Sequence, residues 1–239
     1  KETVAVTKTE VMALGTASAT TTLRREDLAQ MVVIGQVGLQ CVLVCHAGVI
    51  YALDPHACDE RIRLETVLAE LATDGKLGVL HALEEPLCVP VELLGKEVVA
   101  QLERKEIRER LAQWGIQFQP LPPPRELLCT HLPTVVLRKV VGRAEGVRTL
   151  ARGIAQWVHS IDCYSKSTDS SSSSNAVPAL VLECAKSWAC QGAIRWGVPG
   201  DALSRFKAAQ LLKRLSDCED PFHCAHGRPS IVSVCCVCA

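Results

Sequence analysis

The dipeptide Asp54-Pro55 constrains the fold of this chain more than any other feature, because it separates a β-prone segment from a helix-prone one. Aspartate is a preferred helix N-cap, and proline suits the next position, where its missing N–H costs no helical hydrogen bond. We therefore predict a helix that begins at Pro55 and ends near Asp74-Gly75. Short apolar runs precede this helix and predict consecutive antiparallel strands at residues 32–36, 41–45 and 49–53.

The rest of the chain alternates apolar runs with amphipathic segments, which predicts a mixed α/β (α+β) fold. The predicted strands are residues 86–93, 116–121 and 127–137. The predicted helices are residues 96–113, 146–159, 178–193 and 201–216. Asp201 is expected to cap the last helix, whose apolar stripe includes Phe206. The Ser-rich residues 165–175 predict a flexible surface loop, and residues 1–23 predict the end of a disordered linker.

The composition argues against several classes of protein. The 239 residues include 26 basic and 26 acidic side chains, so DNA binding would need a local basic patch or a partner. The sequence shows no apolar stretch long enough to span a membrane and no signal peptide. The thirteen cysteines are expected to be reduced thiols of a nuclear or cytosolic protein. A thiol redox protein is disfavoured, since no Cys-x-x-Cys follows a strand and opens a helix.

Three stretches carry residue types that bind metal ions. His56 and Glu60 are four residues apart, so a helix places both on one side. Cys190 lies in the predicted helix 178–193, while Cys224 and His226 are two apart and would share one face of an extended segment. Thiolate, imidazole and carboxylate are ligands of Zn²⁺, and carboxylates also suit Mn²⁺ or Mg²⁺.

Each stretch alone also has an ordinary interpretation. Asp54 can be a helix cap with no further role, and Glu60 and Glu65 can belong to a solvated helix face. Cys190 can be a buried apolar thiol, and a Cys-x-His spacing arises by chance in a chain with thirteen Cys and seven His. A metal site therefore requires that the fold bring the three stretches together.

The same stretches resemble the motifs of the MutL homologues. LDPHACDERIRLE at residues 53–65 is similar to the family's endonuclease motif, DQHA(x)₂E(x)₄E, in register. Residues 224–229, CAHGRP, and 189–196, ACQGAIRW, resemble two further motifs of the family, and 35–45, GQVGLQCVLVC, resembles its Gln-containing first strand. The resemblance covers nearly the whole chain and is closest to the meiotic MutLγ-type subunit.

The resemblance implies a MutL-type C-terminal domain. Residues 24–75 and 176–239 would form a dimerisation and endonuclease subdomain, and residues 76–165 an inserted external regulatory subdomain. It implies a nuclear protein of mismatch repair or meiotic crossover recombination, acting on duplex DNA as a heterodimer with a MutL-homologue partner subunit. A sliding clamp and MutS-type proteins are further expected partners. Because the chain begins at Lys1, we expect a fragment, with ATP bound only by an N-terminal domain outside it.

The resemblance also implies residue roles. Asp54 would be the catalytic carboxylate, and Glu65 and Arg228 would support the site. The implied metal ligands are His56, Glu60, Cys190, Cys224 and His226. The reaction would be metal-dependent hydrolysis of a phosphodiester that leaves a nick in one DNA strand, with Zn²⁺ as a structural or regulatory ion and Mn²⁺ or Mg²⁺ in catalysis. Four nearby arginines are interpreted either as phosphate contacts or as a solvated helix face with a structural arginine: Arg61, Arg63, Arg195 and Arg228.

Three features depart from the family's pattern. Pro55 replaces a glutamine, which keeps a good helix start but removes a hydrogen-bonding side chain. Gln191 replaces an arginine, and residues 234–239 end the chain without a terminal Phe-x-Arg motif. A catalytically inactive zinc-binding dimerisation module is therefore the alternative hypothesis. The terminal thiols would be either soft ligands or an oxidisable tail: Cys235, Cys236 and Cys238.

Overall fold

The computed structural model describes residues 23–38, 40–73, 80–120, 126–164, 177–195 and 202–236. In chain order the elements are α1 (Arg25–Leu28), β1 (Val32–Val37), β2 (Cys41–His46), β3 (Val49–Leu53), α2 (Pro55–Thr73), β4 (Leu80–Pro90), α3 (Val91–Leu94), α4 (Lys96–Leu102), α5 (Lys105–Gln113), β5 (Gln117–Pro120), β6 (Glu126–Pro133), α6 (Thr134–Val140), α7 (Gly146–Tyr164), α8 (Ala179–Gly192), α9 (Arg205–Ser216) and β7 (Ile231–Cys236). Mixed α/β architecture with antiparallel sheets was predicted and is confirmed. None of the described helices is long and apolar enough to cross a membrane.

The chain divides into two compact units. One consists of residues up to 65 and from 189 onward, and the other of residues 66–188. The assignment of a dimerisation subdomain and an inserted regulatory subdomain stays a prediction. The predicted linker, apart from its last residue, Leu23, and the predicted Ser-rich loop lie outside the described residues.

The first unit is built on a four-stranded antiparallel sheet in the order β1-β2-β3-β7. The predicted strands at 32–36, 41–45 and 49–53 are confirmed. Ala47 and Gly48, both with positive φ, form the two-residue turn between β2 and β3, which suits the twist of a tight hairpin. β7 pairs with β3, so the Cys-rich tail, to which the sequence assigned no element, completes the sheet. One face of the sheet packs against α9 and the first turns of α2 around a buried apolar core.

The start of α2 follows the sequence prediction. The Asp54 side chain accepts a hydrogen bond from the Ala57 N–H at 3.1 Å, and its carbonyl accepts from the Cys58 N–H at 3.0 Å. Pro55 is the first helical residue. The Asp54 N–H donates to the Ser230 carbonyl at 2.9 Å, so the helix start is tied to the segment that leads into β7. The cap thus fixes the position of every side chain on the first turns of α2.

Two predictions for α9 are wrong. The helix begins at Arg205, and Ser204 is the N-cap, accepting from the Lys207 N–H at 3.3 Å. Asp201 lies outside the described residues. Phe206 is 71% exposed, because the buried positions follow the spacing 208, 211, 212 and 215, and Phe206 falls on the opposite side of the helix.

The second unit contains a three-stranded antiparallel sheet in the order β4-β6-β5, together with α3 to α7 and most of α8. Three predicted boundaries are wrong here. The strand predicted at 86–93 begins earlier and gives way to α3 after Pro90, and the strand predicted at 127–137 gives way to α6 after Pro133. Both prolines adopt the extended conformation of an N-cap, so each ends a strand and starts a helix.

The helix predicted at 96–113 is two helices, α4 and α5. The buried side chains explain the break, since Val98 and Leu102 are four residues apart whereas Leu102 and Ile107 are five apart. In one continuous helix Ile107 would be rotated by about 140° from Leu102, away from the core. The break returns Ile107 and Leu111 to the buried side.

Candidate metal centre

Helix α2 and the end of α8 bring three ligand-type side chains together. His56 and Glu60, one turn apart on α2, approach each other at 3.3 Å between Nε2 and Oε2. The Cys190 Sγ lies 3.7 Å from the same His56 Nε2. The carbonyl of Ile194, just after α8, accepts from His56 Nδ1 at 2.7 Å. This hydrogen bond sets the ring orientation and leaves Nε2 facing the cluster.

A tight hairpin at residues 222–230 supplies the other two side chains. His223 and Pro229 form an antiparallel bridge, and the Gly227 N–H donates to the Cys224 carbonyl at 3.0 Å, closing the turn. Gly227 has φ +80°, a conformation that favours glycine. The prediction that an extended segment places Cys224 and His226 on one face is wrong, because a turn brings the two side chains together.

The two sets of ligand atoms share one residue. His226 Nδ1 lies 2.6 Å from Glu60 Oε1, so the Glu60 carboxylate touches one imidazole with each oxygen. His56, Glu60 and Cys190 form one group, and Glu60, Cys224 and His226 form the other. Within each group the ligand atoms lie within 4.8 Å of one another. All five residues that the resemblance implied as ligands are therefore brought together.

The Glu60 carboxylate needs a positive partner. Its side chain is fully buried, and Oε2 has no hydrogen-bond partner in the described structure. In the tautomer that donates its Nδ1 proton to the Ile194 carbonyl, the His56 ring presents a lone pair at Nε2, so two acceptors face each other at 3.3 Å. A buried carboxylate oxygen in this state is costly unless a cation or a proton lies beside it.

The negative charge of Glu60 also affects the thiol of Cys190. Burial, followed by the charge of the nearby Glu60 carboxylate, raises the pKa of Cys190 above its ordinary value, while Arg228 acts in the opposite direction. A cation bound among these side chains would lower that pKa, since metal binding favours the thiolate.

Asp54, Glu65 and Arg228 lie around this cluster in different roles. Asp54 is the cap of α2 and belongs to neither group of ligand atoms. Glu65 accepts from the backbone N–H groups of Glu219 and Asp220 at 2.6 and 3.1 Å, so it supports the segment before the hairpin. The pKa of the exposed Arg228 guanidinium is raised, chiefly by a hydrogen bond to the Cys224 side chain and by the negative charge of Cys224. The carboxylates of Glu60 and Asp54 raise it further.

Two of the arginines whose role the sequence left open, Arg61 and Arg63, make hydrogen bonds within the protein, which favours a structural role. Arg61 donates from Nε to the His223 carbonyl at 2.6 Å and from Nη2 to the Cys224 carbonyl at 2.9 Å, which pins the hairpin to α2. Arg63 donates from Nε to Asp59 Oδ2 at 2.8 Å. Both arginines lie four residues from an acid on α2, and this spacing was the available sequence signal.

Asp59 is a residue that the sequence analysis missed. Its buried carboxylate accepts from both the Arg63 guanidinium and the Ile194 N–H, the latter at 3.2 Å. Because the carbonyl of Ile194 in turn holds His56, Asp59 supports a predicted ligand through one residue of the backbone. The position of Asp59, next to Cys58 in a helix, does not by itself indicate that it supports a ligand.

No protein-family model matches the chain. DNA mismatch repair protein MLH3 of Saccharomyces cerevisiae is 28% identical over 238 aligned residues, which cover 89% of this chain and 32% of that protein. DNA mismatch repair protein MutL of Leptospira biflexa is 29% identical over 185 residues, covering 77% of this chain and 25% of that protein. DNA mismatch repair protein Mlh3 of Homo sapiens is 27% identical over 188 residues, which cover 75% of this chain and 12% of that protein.

The chain that carries this antiparallel α/β fold and these grouped Cys, His and Glu side chains is similar to DNA mismatch repair proteins of the MutL type. Among the proteins that it resembles are the Mlh3 proteins of yeast, Arabidopsis thaliana and human. The chain spans about a third or less of the length of these relatives. The resemblance to the MutL homologues that the motifs predicted is confirmed.

Proposed function

We propose that this chain is the C-terminal endonuclease domain of a MutL-family protein, and that it nicks one strand of duplex DNA in a metal-dependent reaction. The observation that carries the proposal is the meeting of five ligand-type side chains around the buried Glu60 carboxylate. The similarity to DNA mismatch repair proteins supports DNA as the substrate.

The donor set fits a divalent cation. Two thiols, two imidazoles and one carboxylate are the ligands that Zn²⁺ accepts, and the orphaned Glu60 Oε2 gains a partner when a cation is bound. Zn²⁺ is the proposed structural or regulatory ion, while Mn²⁺ or Mg²⁺ would use oxygen donors from Glu60 and Asp54. A bound metal supplies Lewis acidity toward the phosphate and lowers the pKa of a bound water.

The chain's own residues hold and orient this centre. The Ile194 carbonyl fixes the His56 ring, and Arg61 fixes the Cys224 hairpin against α2. Asp54 is the proposed catalytic carboxylate, held in place because its Oδ1 caps the helix that carries two of the ligands. The exposed Arg228, whose charge lies near Glu60 and Asp54, is the proposed contact to a phosphate of the bound strand.

The outer face of the first unit's sheet supports the proposed heterodimer. One cross-strand row of this face runs from Val32 through Cys45 and Ile50 to Cys235. A second row runs through Leu43 and Ala52 to Val232. The large side chains at both edges are exposed, with Val32 at 66% and Val232 at 39%. A contiguous apolar sheet face of this kind is typical of a protein–protein interface, and we assign it to a MutL-homologue partner subunit.

The biological setting is also a proposal. The similarity to proteins named for DNA mismatch repair supports mismatched DNA as a substrate. Action in the nucleus and on meiotic crossover intermediates is proposed from the resemblance of the motifs to the MutLγ-type subunit. Sliding clamp and MutS-type proteins are the further proposed partners, and ATP would act only through an N-terminal domain outside this chain.

An inactive zinc-binding dimerisation module is the second candidate function. The specific observation in its favour is that Asp54 serves as a helix cap and belongs to neither group of ligand atoms, while Pro55 brings no hydrogen-bonding side chain. In this alternative the metal ties α2, α8 and the hairpin together without contributing to a reaction.

Nicking of supercoiled plasmid by the full-length heterodimer in Mn²⁺ separates the two candidates. The endonuclease proposal predicts nicking by the native protein, and its loss in both Asp54→Asn and Glu60→Gln. Glu70→Gln, on an exposed position of the same helix, is the matched control and should nick normally. A protein that holds zinc stoichiometrically but does not nick would favour the inactive module.

A further inference from the structure

A groove lies beside the candidate metal centre in the first unit. Its volume is about 440 Å³, within the range of ligand-binding clefts. Leu203 and Leu211 line it, Asp59 and Ile194 form one wall, and polar side chains of α9 form the other. The groove is therefore amphipathic, with apolar side chains beside a polar rim.

The α9 wall of this groove is strongly basic. Helix α9 has the sequence RFKAAQLLKRLS, which contains four basic and no acidic residues, in a chain whose overall formal charge is zero. Lys207, Lys213 and Arg214 line the groove and are exposed. No ion pair joins any of the three to another residue in the part of the chain that the structure describes. Their charges are available to an external anion.

The spacing of the basic side chains suits a row of phosphates. Lys207 and Arg214 are seven residues apart, which is about 10 Å along a helix at about 1.5 Å per residue. Phosphates of one DNA strand recur about every 3.4 Å of duplex axis, so the row corresponds to about three nucleotides. Gln210, between them on the same face, adds a hydrogen-bonding side chain.

The groove shares a wall with the candidate metal centre. The Asp59 carboxylate at the groove accepts from the Ile194 N–H at 3.2 Å, and the carbonyl of the same Ile194 accepts from His56 Nδ1 at 2.7 Å. One residue of backbone thus separates the groove from a ligand. The negative charge of Asp59 is offset by its ion pair with Arg63 at 2.8 Å, so the wall does not repel a phosphate.

We propose that this groove binds the sugar–phosphate backbone of the DNA strand next to the nicking site, with Lys207, Lys213 and Arg214 as phosphate contacts. The inference rests on the proposed endonuclease function and extends it to the path of the substrate. DNA is favoured over an acidic protein segment because the groove shares Ile194 with the hydrogen bond that holds His56, and a scissile phosphate would have to lie beside that centre.

The test compares the full-length heterodimer with a Lys213→Gln/Arg214→Gln variant. Binding of a short DNA duplex is measured across a range of salt concentrations. Loss of two phosphate contacts should weaken binding. It should also make the negative slope of log K against log salt shallower by about 1.8. In nicking assays, the DNA concentration for half-maximal rate should rise while the maximal rate stays within twofold. Zinc content should be unchanged.

Arg138→Gln/Lys139→Gln is the matched control, because this pair is exposed and also occupies the last turn of a helix, α6 of the second unit. It should keep the native salt slope. An unchanged slope in the α9 variant would overturn the proposal, and weaker capture of the partner subunit by that variant would then assign the groove to an acidic protein segment. The salt dependence of DNA binding is measured without catalysis, so the two proposals can fail separately. If the native protein never nicks DNA but the α9 variant still shows a shallower salt dependence, the DNA-binding groove is supported and the endonuclease function is contradicted.

Discussion

At the scale of single residues, Glu60 is the centre of the site. Its buried carboxylate contacts His56 with one oxygen and His226 with the other, and it is the member common to both groups of ligand atoms. Neighbouring side chains act through geometry rather than contact with a metal: Asp59 through Ile194, and Arg61 through the hairpin.

Asp54 combines two roles that substitution can separate. Asn keeps an N-cap acceptor but removes the carboxylate, so Asp54→Asn should nick at least a hundredfold more slowly while its free energy of unfolding stays within about 0.5 kcal/mol of native. Asp54→Ala should lose nicking and also about 1 kcal/mol of stability, because the Ala57 N–H loses its partner. Denaturant unfolding and plasmid nicking measure the two effects. Equal stability of the Asn and Ala variants would contradict the capping role.

Asp59 is expected to act as a positioning residue. Asp59→Asn weakens the hold on the Ile194 N–H and removes the ion pair with Arg63, so the ring of His56 loses its fixed orientation. Zinc affinity should fall about 10- to 100-fold, the usual effect of losing an outer partner of a ligand. Competition with a chromophoric chelator measures it. Glu70→Gln is the control, and an unchanged zinc affinity in Asp59→Asn would show that His56 is not held in this way.

At the scale of secondary structure, the hairpin at 222–230 depends on one glycine. Gly227 closes the turn between Cys224 and Arg228 with φ +80°. Alanine is strained there by about 1–2 kcal/mol, although its Cβ would meet no neighbour within 4 Å. We expect Gly227→Ala to lower the melting temperature and the zinc affinity together.

Gly35→Ala provides the control for that substitution. Gly35 lies in β1 of the same unit, its φ is not in the positive region, and its added Cβ also meets nothing within 4 Å. This variant should melt near the native temperature and bind zinc normally. If Gly35→Ala and Gly227→Ala behave alike in calorimetry and zinc titration, strain at the hairpin is not what shapes the site.

Local sequence signals predicted elements well where one residue decides a boundary. The Asp54 cap and Pro55 fixed the start of α2, and the Ala47-Gly48 turn fixed the β2–β3 hairpin. Prediction failed where tertiary packing decides. The break between α4 and α5 follows from which side chains are buried, and the hairpin that joins Cys224 to His226 depends on hydrogen bonds with distant parts of the chain.

At the scale of the whole molecule, the site residues come from three segments, and one α2 ligand is separated by 134 residues from Cys190 and the other by 166 from His226. Their motifs named the ligand-type residues, but only the fold shows that Glu60 is shared and that Asp59 and Arg61 support it. The basic groove was not predicted from the sequence. The formal net charge of the chain is zero, so the overall charge gives no sign of the excess of basic residues on α9.

The apolar sheet face predicts how the chain associates. Val32→Asp/Val232→Asp places two charges on exposed edge positions, so folding and zinc content should be unaffected. Affinity for the partner subunit should fall at least tenfold, because burying an unpaired carboxylate in an interface is costly. Sedimentation equilibrium or co-purification measures it. Val141→Asp, at a position 47% exposed in the second unit, is the control. Loss of association in the control alone would place the interface elsewhere.

X-ray absorption at the zinc edge of the purified full-length protein tests most directly whether the five side chains form one metal centre. A mixed shell is predicted, with sulfur at about 2.3 Å and nitrogen or oxygen at about 2.0–2.1 Å. Cys190→Ser and Cys224→Ser should each remove part of the sulfur signal, whereas Cys88→Ser, in the second unit, should not. A shell of four sulfurs, or one unchanged in both variants, would contradict this metal centre.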